Sequence, residues 1–164
     1  MTKRILIEII ASAGSTLAFG VVFNLKGKKL IFAGVGGVLG WLIYVFFKHV
    51  GSSEAASLFY SSIGITIYSE IMARILKTPV TSTLIASLIP LVPGSGVYFT
   101  MSYFVQNKTV EATQKGIDTL IQTIAITVGI VMVSTFSQIY YKFRRYQLVK
   151  EKIKKRKEYY KRLK

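Results

Sequence analysis

The residues best placed to do chemistry in this sequence are helix breakers inside an apolar stretch. In the segment LIPLVPGSGVYFTM, Pro90, Pro93, Gly94 and Gly96 fall within seven residues. Each proline removes a backbone N–H and disfavours helical geometry at the residue before it, here Ile89 and Val92. The two glycines weaken whatever helical preference remains. We therefore predict a broken helix, with one half ending before about residue 89 and the other starting near residue 95.

The start of the second half-helix has the chemistry of an anion site. Its first N–H groups, at Ser95, Gly96 and Val97, are expected to lack acceptors and to carry about half a unit of positive charge. A break at membrane depth must face protein or a watery cavity, and broken transporter helices hold substrate carboxylates in this way. The Ser95 and Tyr98 hydroxyls lie nearby. We predict a substrate site here; the alternative is a structural kink or re-entrant turn without a ligand.

Ionisable residues inside apolar segments are a second candidate set, because they are costly there and commonly functional. Glu8 lies in the first apolar segment. Glu70 and Arg74 lie four residues apart in the third, so they share a helix face and can pair. An interfacial ion pair is the favoured interpretation of these two residues, and a polar transport pathway is the alternative.

The fifth apolar segment opens with Asp118, and Gln122 follows one turn later. Three threonines continue this polar stripe: Thr119, Thr123 and Thr127. We expect the stripe to face the protein interior. For Asp118, as for Glu8, a structural role and a role in proton coupling both remain open.

Other chemistry is poorly represented. The chain has no cysteine and a single histidine, His49, which we interpret as a surface residue. No nucleophile–base set and no cluster of metal-ligating residues is visible, so we predict neither an enzyme nor a cofactor or metal site.

The elements that must position these residues are membrane helices. Of 164 residues, 51% are hydrophobic, and a span needs about 20 mostly apolar residues. We predict an all-α polytopic membrane protein in which the fourth of about five spans is broken at the Pro-Gly segment, and in which the N-terminal segment is a first span, not a cleaved signal. The predicted spans are about Ile5–Phe23, Leu30–Phe47, Ala55–Leu76, Val80–Val105 and Ile117–Tyr140.

Small residues at helical spacing predict close packing of these spans. The relevant residues are Gly36 and Gly40 in the second span, Gly14 and Ala18 in the first, and Ser57, Ser61 and Gly64 in the third.

The last 24 residues differ in composition from the rest, so we divide the chain into a transmembrane domain, 1–140, and a basic tail, 141–164. The tail carries twelve basic and two acidic residues of a chain whose net charge is +15. The positive-inside rule places it in the cytoplasm and the N-terminus outside. We interpret the tail as an amphipathic helix on anionic lipid headgroups, in preference to a nucleic-acid-binding segment.

The break also carries a family resemblance. The stretch IPLVPGSGVY, Ile89–Tyr98, resembles the signature I-P-x-x-P-G-x-x-x-Y of the threonine/serine exporter family, in its C-terminal half, which also occurs alone as a small subunit. The stretches AFGVVFN and GGVLGWLIY agree in order, as does Arg74 ahead of Pro79. The resemblance covers about residues 10–140 and leaves out the basic tail.

The resemblance implies a secondary transporter of the inner membrane that exports threonine and serine or, in some members, a dicarboxylate such as succinate. It also implies a larger partner subunit, hence a hetero- or homo-oligomer. The family's binding residues would correspond to Pro90, Pro93, Gly94, Tyr98 and Asn24. The alternative is a membrane scaffold whose basic tail recruits partners, although a scaffold has no need of a break deep in a span.

Overall fold

The computed structural model describes residues 2–162 and confirms the all-α fold. Its helices are α1 (Thr2–Val22), α2 (Lys28–His49), α3 (Glu54–Ile75), α4 (Val80–Leu88), α5 (Gly94–Val105) and α6 (Thr109–Arg162). A single 3₁₀ turn, Ile89–Leu91, connects α4 to α5. These helices reproduce the predicted apolar segments, with α6 extending past both ends of the fifth.

The protein is a polytopic membrane protein. Helices α1, α2 and α6 are long and apolar enough to cross a membrane, and α4 with α5 forms a bent pair that makes a fourth candidate. Helix α3 has 22 residues but is more polar than α1 and α2. Its polar side chains are buried inside the bundle: Ser57, Ser61, Ser62, Thr66, Ser69 and Glu70. A helix enclosed in this way needs little lipid-facing hydropathy, and its assignment as a fifth span stays a prediction.

The predicted break is confirmed. Helix α4 ends at Leu88, α5 begins at Gly94, and the two are bent by 51°. The chain leaves helical geometry at Val92, with φ −61° and ψ 126°. Ile89 keeps helical dihedrals, φ −49° and ψ −45°, so the expectation for the residue before Pro90 was wrong. Pro90 lies in the first turn of the 3₁₀ segment, where an N–H would have no intrahelical acceptor, so the absence of this group costs nothing there.

Small residues let α2 serve as the centre of the bundle. Gly36 faces Ser87 of α4, Gly37 faces Thr16 of α1, and Gly40 faces Ile65 of α3, each at a distance that leaves no room for a Cβ atom. Hydroxyl groups then reach the α2 backbone: Ser61 Oγ donates to the Gly40 carbonyl at 2.6 Å, and Ser87 Oγ to that of Ala33 at 3.0 Å.

The prediction that Gly14 and Ala18 of α1 pack closely against another helix was wrong within this chain. Gly14 has no atom within 4 Å of its Cβ position, and Ala18 is exposed. Helix α1 contacts α2 and α4 through another face, on which Ser12 and Thr16 are buried.

Helices α5 and α6 form a hairpin that differs from the bundle. Helix α5 packs mainly on the beginning of α6, where Gly96 lies against Thr119. Further along, Gly129 of α6 packs against Ser62 of α3, so α6 and α3 run parallel. Residues 109–121 of α6 therefore extend about 20 Å past the start of α3, at 1.5 Å per residue. We call α5 together with these residues the α5–α6 hairpin.

Helix α6 is continuous as far as Arg162, so the predicted boundary at Tyr140 marks a change of composition and not a break in the helix. Its 54 residues correspond to about 80 Å. The last two cations of the predicted tail are Arg162, where the helix ends, and Lys164, which lies outside the described residues.

Candidate binding site at the helix break

The break lines a small cavity at one end of the bundle, which we call the break cavity. Its volume is about 130 Å³. Three helices besides the broken one contribute to it, and the lining residues are Trp41, Tyr44, Glu54, Leu58, Pro90, Leu91, Val92, Pro93, Ser95 and Gln122. The structure thus brings Pro90, Pro93 and Ser95 of the break together with Gln122 of the polar stripe.

Backbone donors at the start of α5 are fewer than expected. The Gly94 N–H donates to the Val92 carbonyl at 2.7 Å, and the Val97 N–H donates to the Pro93 carbonyl at 3.3 Å. The expectation of a free N–H at Val97 was therefore wrong, because Pro93 is the N-cap of α5 and its carbonyl accepts the first intrahelical hydrogen bond. The first-turn N–H groups of Ser95 and Gly96 remain without an acceptor inside α5.

The two glycines of the break have different roles. Gly96 is buried, and a Cβ atom there would collide with the Thr119 hydroxyl, so this glycine lets α5 approach α6. Gly94 has nothing within 4 Å of its Cβ position. A side chain at Gly94 would therefore fill open space and not displace protein.

Two residues taken from the resemblance lie elsewhere. Tyr98 has 68% of its surface exposed and does not line the break cavity. Asn24 lies in the turn between α1 and α2. Its φ of 58° is in the left-handed region, which asparagine adopts more readily than most residues. The start of α2 is separated from Tyr44 by 16 residues, or about 24 Å. Asn24 is therefore at the opposite end of the bundle.

Three cavity residues were missed by sequence reasoning. Trp41 and Tyr44 stand one helical turn apart on α2, with ring centroids separated by 5.2 Å. The Tyr44 hydroxyl and the Glu54 carboxylate line the same cavity. The Trp41 Nε1 atom is buried without a hydrogen-bond partner. The available signal was the pair of aromatic residues at i and i+3. Glu54 gave no such signal, because it stands in a polar stretch between two apolar segments, where a charge is common.

Glu54 is held at the cavity by its position in the first turn of α3. The Ser53 hydroxyl caps this helix by accepting a hydrogen bond from the Ala56 N–H at 3.2 Å. The nearest cation of Glu54 is Lys48, with Nζ 3.7 Å from Oε2. That distance is too long for a hydrogen bond, and both side chains are about half exposed.

A wider depression adjoins the break cavity. It has a volume of about 420 Å³ and shares Trp41 and Tyr44 with that cavity. Its lining residues are Ile5, Glu8, Trp41, Tyr44, Val45, Lys48 and His49. Glu8 therefore lies at the same end of the bundle as Glu54, on the far side of the two aromatic rings.

Glu70 and Arg74 form the predicted ion pair, at 2.8 Å, near the other end of α3. Ser137 of α6 joins them: its hydroxyl donates to Glu70 Oε2 at 2.8 Å and accepts from Arg74 Nη2 at 2.9 Å. The guanidinium group also lies 3.5 Å from the centre of the Tyr141 ring. Glu70 follows Glu54 by 16 residues, about 24 Å along the helix, so this cluster is remote from the break cavity.

The expectation that the polar stripe of α6 faces inward was wrong for most of its members. Thr119 is buried and Gln122 half-buried, but Asp118, Thr123 and Thr127 are exposed. The stripe covers too wide an arc of the helix to be buried on one face. Its threonines instead satisfy their hydroxyls by donating to the carbonyl four residues earlier, at 2.7 to 2.8 Å.

No group of three or more potential metal ligands occurs among residues 2–162. Within that range the break cavity is the place where the largest number of selected residues meet. Its donors and its single carboxylate suit a small polar solute better than a metal ion or a large cofactor.

Comparison with known proteins gives one match. Residues 8–136 match the family model described as Threonine/Serine exporter, ThrE. This range includes all of α1 to α5 except the first six residues of α1, and α6 as far as Phe136. No curated protein and no solved structure matches the chain.

Proposed function

The chain belongs to the threonine/serine exporter family, and we propose that it is the small subunit of a secondary transporter that carries small carboxylate-bearing metabolites out of the cytoplasm. Threonine and serine are the first candidates, and a dicarboxylate such as succinate is the alternative. This is a family of transporters and not of enzymes. The observation that carries the proposal is the break cavity, because it combines a helix start with polar side chains from three other helices.

The size and chemistry of the cavity support a small solute. A volume of about 130 Å³ is well below the roughly 300–1,000 Å³ of pockets for drug-sized ligands. The Ser95 and Gly96 N–H groups are first-turn donors of a kind that binds carboxylates. The Ser95 hydroxyl and the Gln122 amide line the same space. A substrate carboxylate at the start of α5 would satisfy donors that the helix itself leaves unpaired.

The proposal includes an orientation. We place the protein in the inner membrane with its basic tail in the cytoplasm. In this orientation the break cavity lies towards the outer end of the bundle. The Glu70–Arg74 cluster then lies towards the cytoplasm. The support is the charge asymmetry of the sequence, because the tail alone carries twelve basic residues.

The proposal also includes an assembly with a larger membrane subunit of the same family, or with further copies of this chain. The α5–α6 hairpin supports it, because Gly96 is the only residue of α5 that is buried. Large apolar side chains are exposed along α5, including Met101, Phe104 and Val105. Asp118 is exposed on α6, where contact with lipid would be costly. A protein partner would cover both features.

Anionic lipid headgroups are the proposed partner of the tail. Its first cations are Lys142, Arg144 and Arg145, which follow directly on the bundle. Each cation near an anionic surface contributes about 1 kcal/mol. The alternative function, a scaffold that recruits partners through this tail, uses the same residues but assigns no role to the break cavity.

Uptake of labelled serine, threonine and succinate into inverted membrane vesicles tests the function. Vesicles would contain the chain alone or the chain with a larger family subunit encoded beside it. We expect energised uptake of at least one of the three substrates, in competition with its unlabelled form. Vesicles with both subunits that take up none of them would contradict the proposal and favour the scaffold.

A further inference from the structure

The break cavity contains a feature that bears on which carboxylate it accepts. Among its lining residues, all within the described part of the chain, Glu54 is the single charged side chain. Lys48, the nearest cation, lines the adjoining depression and not this cavity. The cavity therefore has one anionic side chain and one group of backbone donors at the start of α5.

These two features select for opposite charges on one small molecule. Backbone N–H groups at a helix start favour an anion, whereas a carboxylate favours a cation and repels a second anion. A dicarboxylate would satisfy the first group and meet repulsion at the second. An α-amino acid carries its ammonium and carboxylate groups on the same carbon, so it can satisfy both within a small space.

Glu54 has the capacity to accept a further hydrogen bond. An ionised carboxylate has about four acceptor positions, and the Tyr44 hydroxyl, which lines the same cavity, can occupy no more than one of them. Lys48 at 3.7 Å gives electrostatic attraction without a hydrogen bond. With 52% of its side chain exposed, Glu54 lies at the mouth of the cavity, where an entering solute would meet it.

We propose that Glu54 binds the ammonium group of a zwitterionic substrate and thereby makes the break cavity selective for small α-amino acids over dicarboxylates. The Ser95 hydroxyl and the Gln122 amide then remain for an uncharged substituent such as a side-chain hydroxyl. This assignment rests on the proposed function, because it takes the start of α5 as the carboxylate site.

The test compares three probes of similar size: serine, 3-hydroxypropionate, which is serine without its amino group, and succinate. Competition against labelled serine uptake in inverted vesicles gives half-saturation concentrations. Purified protein gives an independent binding measurement, because Trp41 is the only tryptophan of the chain and lines the cavity. We expect wild-type protein to prefer serine to both other probes by about tenfold or more, as for a charge-assisted hydrogen bond.

Glu54→Gln should raise the half-saturation concentration for serine by about ten- to a hundredfold and leave that for 3-hydroxypropionate unchanged. Glu54→Asp, which keeps the charge, should fall between wild type and Glu54→Gln. Glu111→Gln is the control, measured on the purified chain alone, since it removes another exposed carboxylate, at the start of α6, that does not line the cavity.

Two results would overturn the assignment. One is a wild-type protein that accepts succinate or 3-hydroxypropionate as well as serine, which needs no variant and is unaffected by misfolding. The other is unchanged serine affinity in a well-expressed Glu54→Gln protein. In either case serine export itself would persist, so the proposed function would stand. If no probe is exported or bound, the proposed function fails and the role of Glu54 fails with it.

Discussion

The two ends of α3 use the same chemical groups for different purposes. Each end has a glutamate near a basic side chain. Glu70 is almost enclosed, with 11% of its side chain exposed, and its carboxylate contacts with Arg74 and Ser137 are both 2.8 Å. Glu54 is 52% exposed, its cation is 3.7 Å away, and it borders a cavity.

The two glutamates differ in how closely protein groups hold the carboxylate, and this difference separates a structural carboxylate from one that a solute can reach. At Glu70 the carboxylate is nearly enclosed and is held by both Arg74 and Ser137, so the cluster stabilises the contact between α3 and α6. At Glu54 the carboxylate is half exposed and its cation lies beyond hydrogen-bond distance, so it is available to a solute. Charge and sequence spacing do not distinguish these cases, whereas partner distances and adjoining space do.

The largest expected effect comes from removing the break itself. Replacing Pro90, Pro93 and Gly94 by alanine favours a continuous helix, since proline costs about 3 kcal/mol and glycine about 1 kcal/mol relative to alanine. A continuous helix has no free donors at the cavity, so export should be abolished while membrane insertion persists. Gly96 is kept, because its Cβ would collide with Thr119. Export is measured as vesicle uptake, normalised to protein amount by blot.

Gly94→Val is the more selective version of this change. Its side chain enters open space next to the start of α5, so it adds bulk without disturbing the fold. Gly94 lies between the cavity residues Pro93 and Ser95 but does not itself line the cavity. We expect reduced export if the substrate approaches the backbone at Gly94, and wild-type export from a well-expressed Gly94→Val protein would show that it does not.

The orientation of the bundle in the membrane should give an all-or-none result, because each end of the bundle is either accessible from outside the cell or not. The chain contains no cysteine, so a single cysteine can be placed at Lys108, in the turn between α5 and α6, or at Lys77, in the turn between α3 and α4. Both lysines are exposed. A membrane-impermeant thiol reagent on intact cells should label Lys108→Cys and not Lys77→Cys.

Opened cells should give labelling at both positions, which shows that each cysteine is reactive. Labelling restricted to Lys77→Cys on intact cells would reverse the orientation and place the break cavity on the cytoplasmic side.

A smaller effect is expected at the Glu70 end. Arg74→Ala removes the ion pair, the bond to Ser137 and the contact with Tyr141, and leaves a nearly enclosed carboxylate without its cation. Because Arg74 is itself 36% exposed, the loss should be about 1–3 kcal/mol, below that of a fully buried pair. Thermal unfolding in detergent should shift down by several degrees. The half-saturation concentration for serine should stay as in wild type, and an altered value would join this cluster to the transport pathway.

The sequence predicted the secondary structure well because its signals were local. Two prolines and two glycines in an apolar run locate the break to within about a residue, and apolar length locates the helices. The cavity was harder to foresee, since it depends on which residues of separate helices meet. Trp41 and Tyr44 had no polar pattern around them, and Glu54 was 36 residues from Pro90. The prediction that Asp118 faces the protein interior was wrong, because helical periodicity shows which residues share a face but not which neighbouring helix covers that face.

The smallest expected effect is at Lys48, and it tests the comparison most directly. The pair with Glu54 is long and half exposed, and such pairs contribute about 0–1 kcal/mol. Lys48→Ala should therefore leave thermal stability close to wild type, in contrast to Arg74→Ala. Removing this competing cation should also leave the Glu54 carboxylate more available, so serine should bind equally well or slightly better. Unfolding curves and tryptophan titrations on the same preparations measure both quantities. A loss of stability as large as that of Arg74→Ala would mean that Lys48 and Glu54 form a second stabilising ion pair. The two ends of α3 would then not differ in the way we describe.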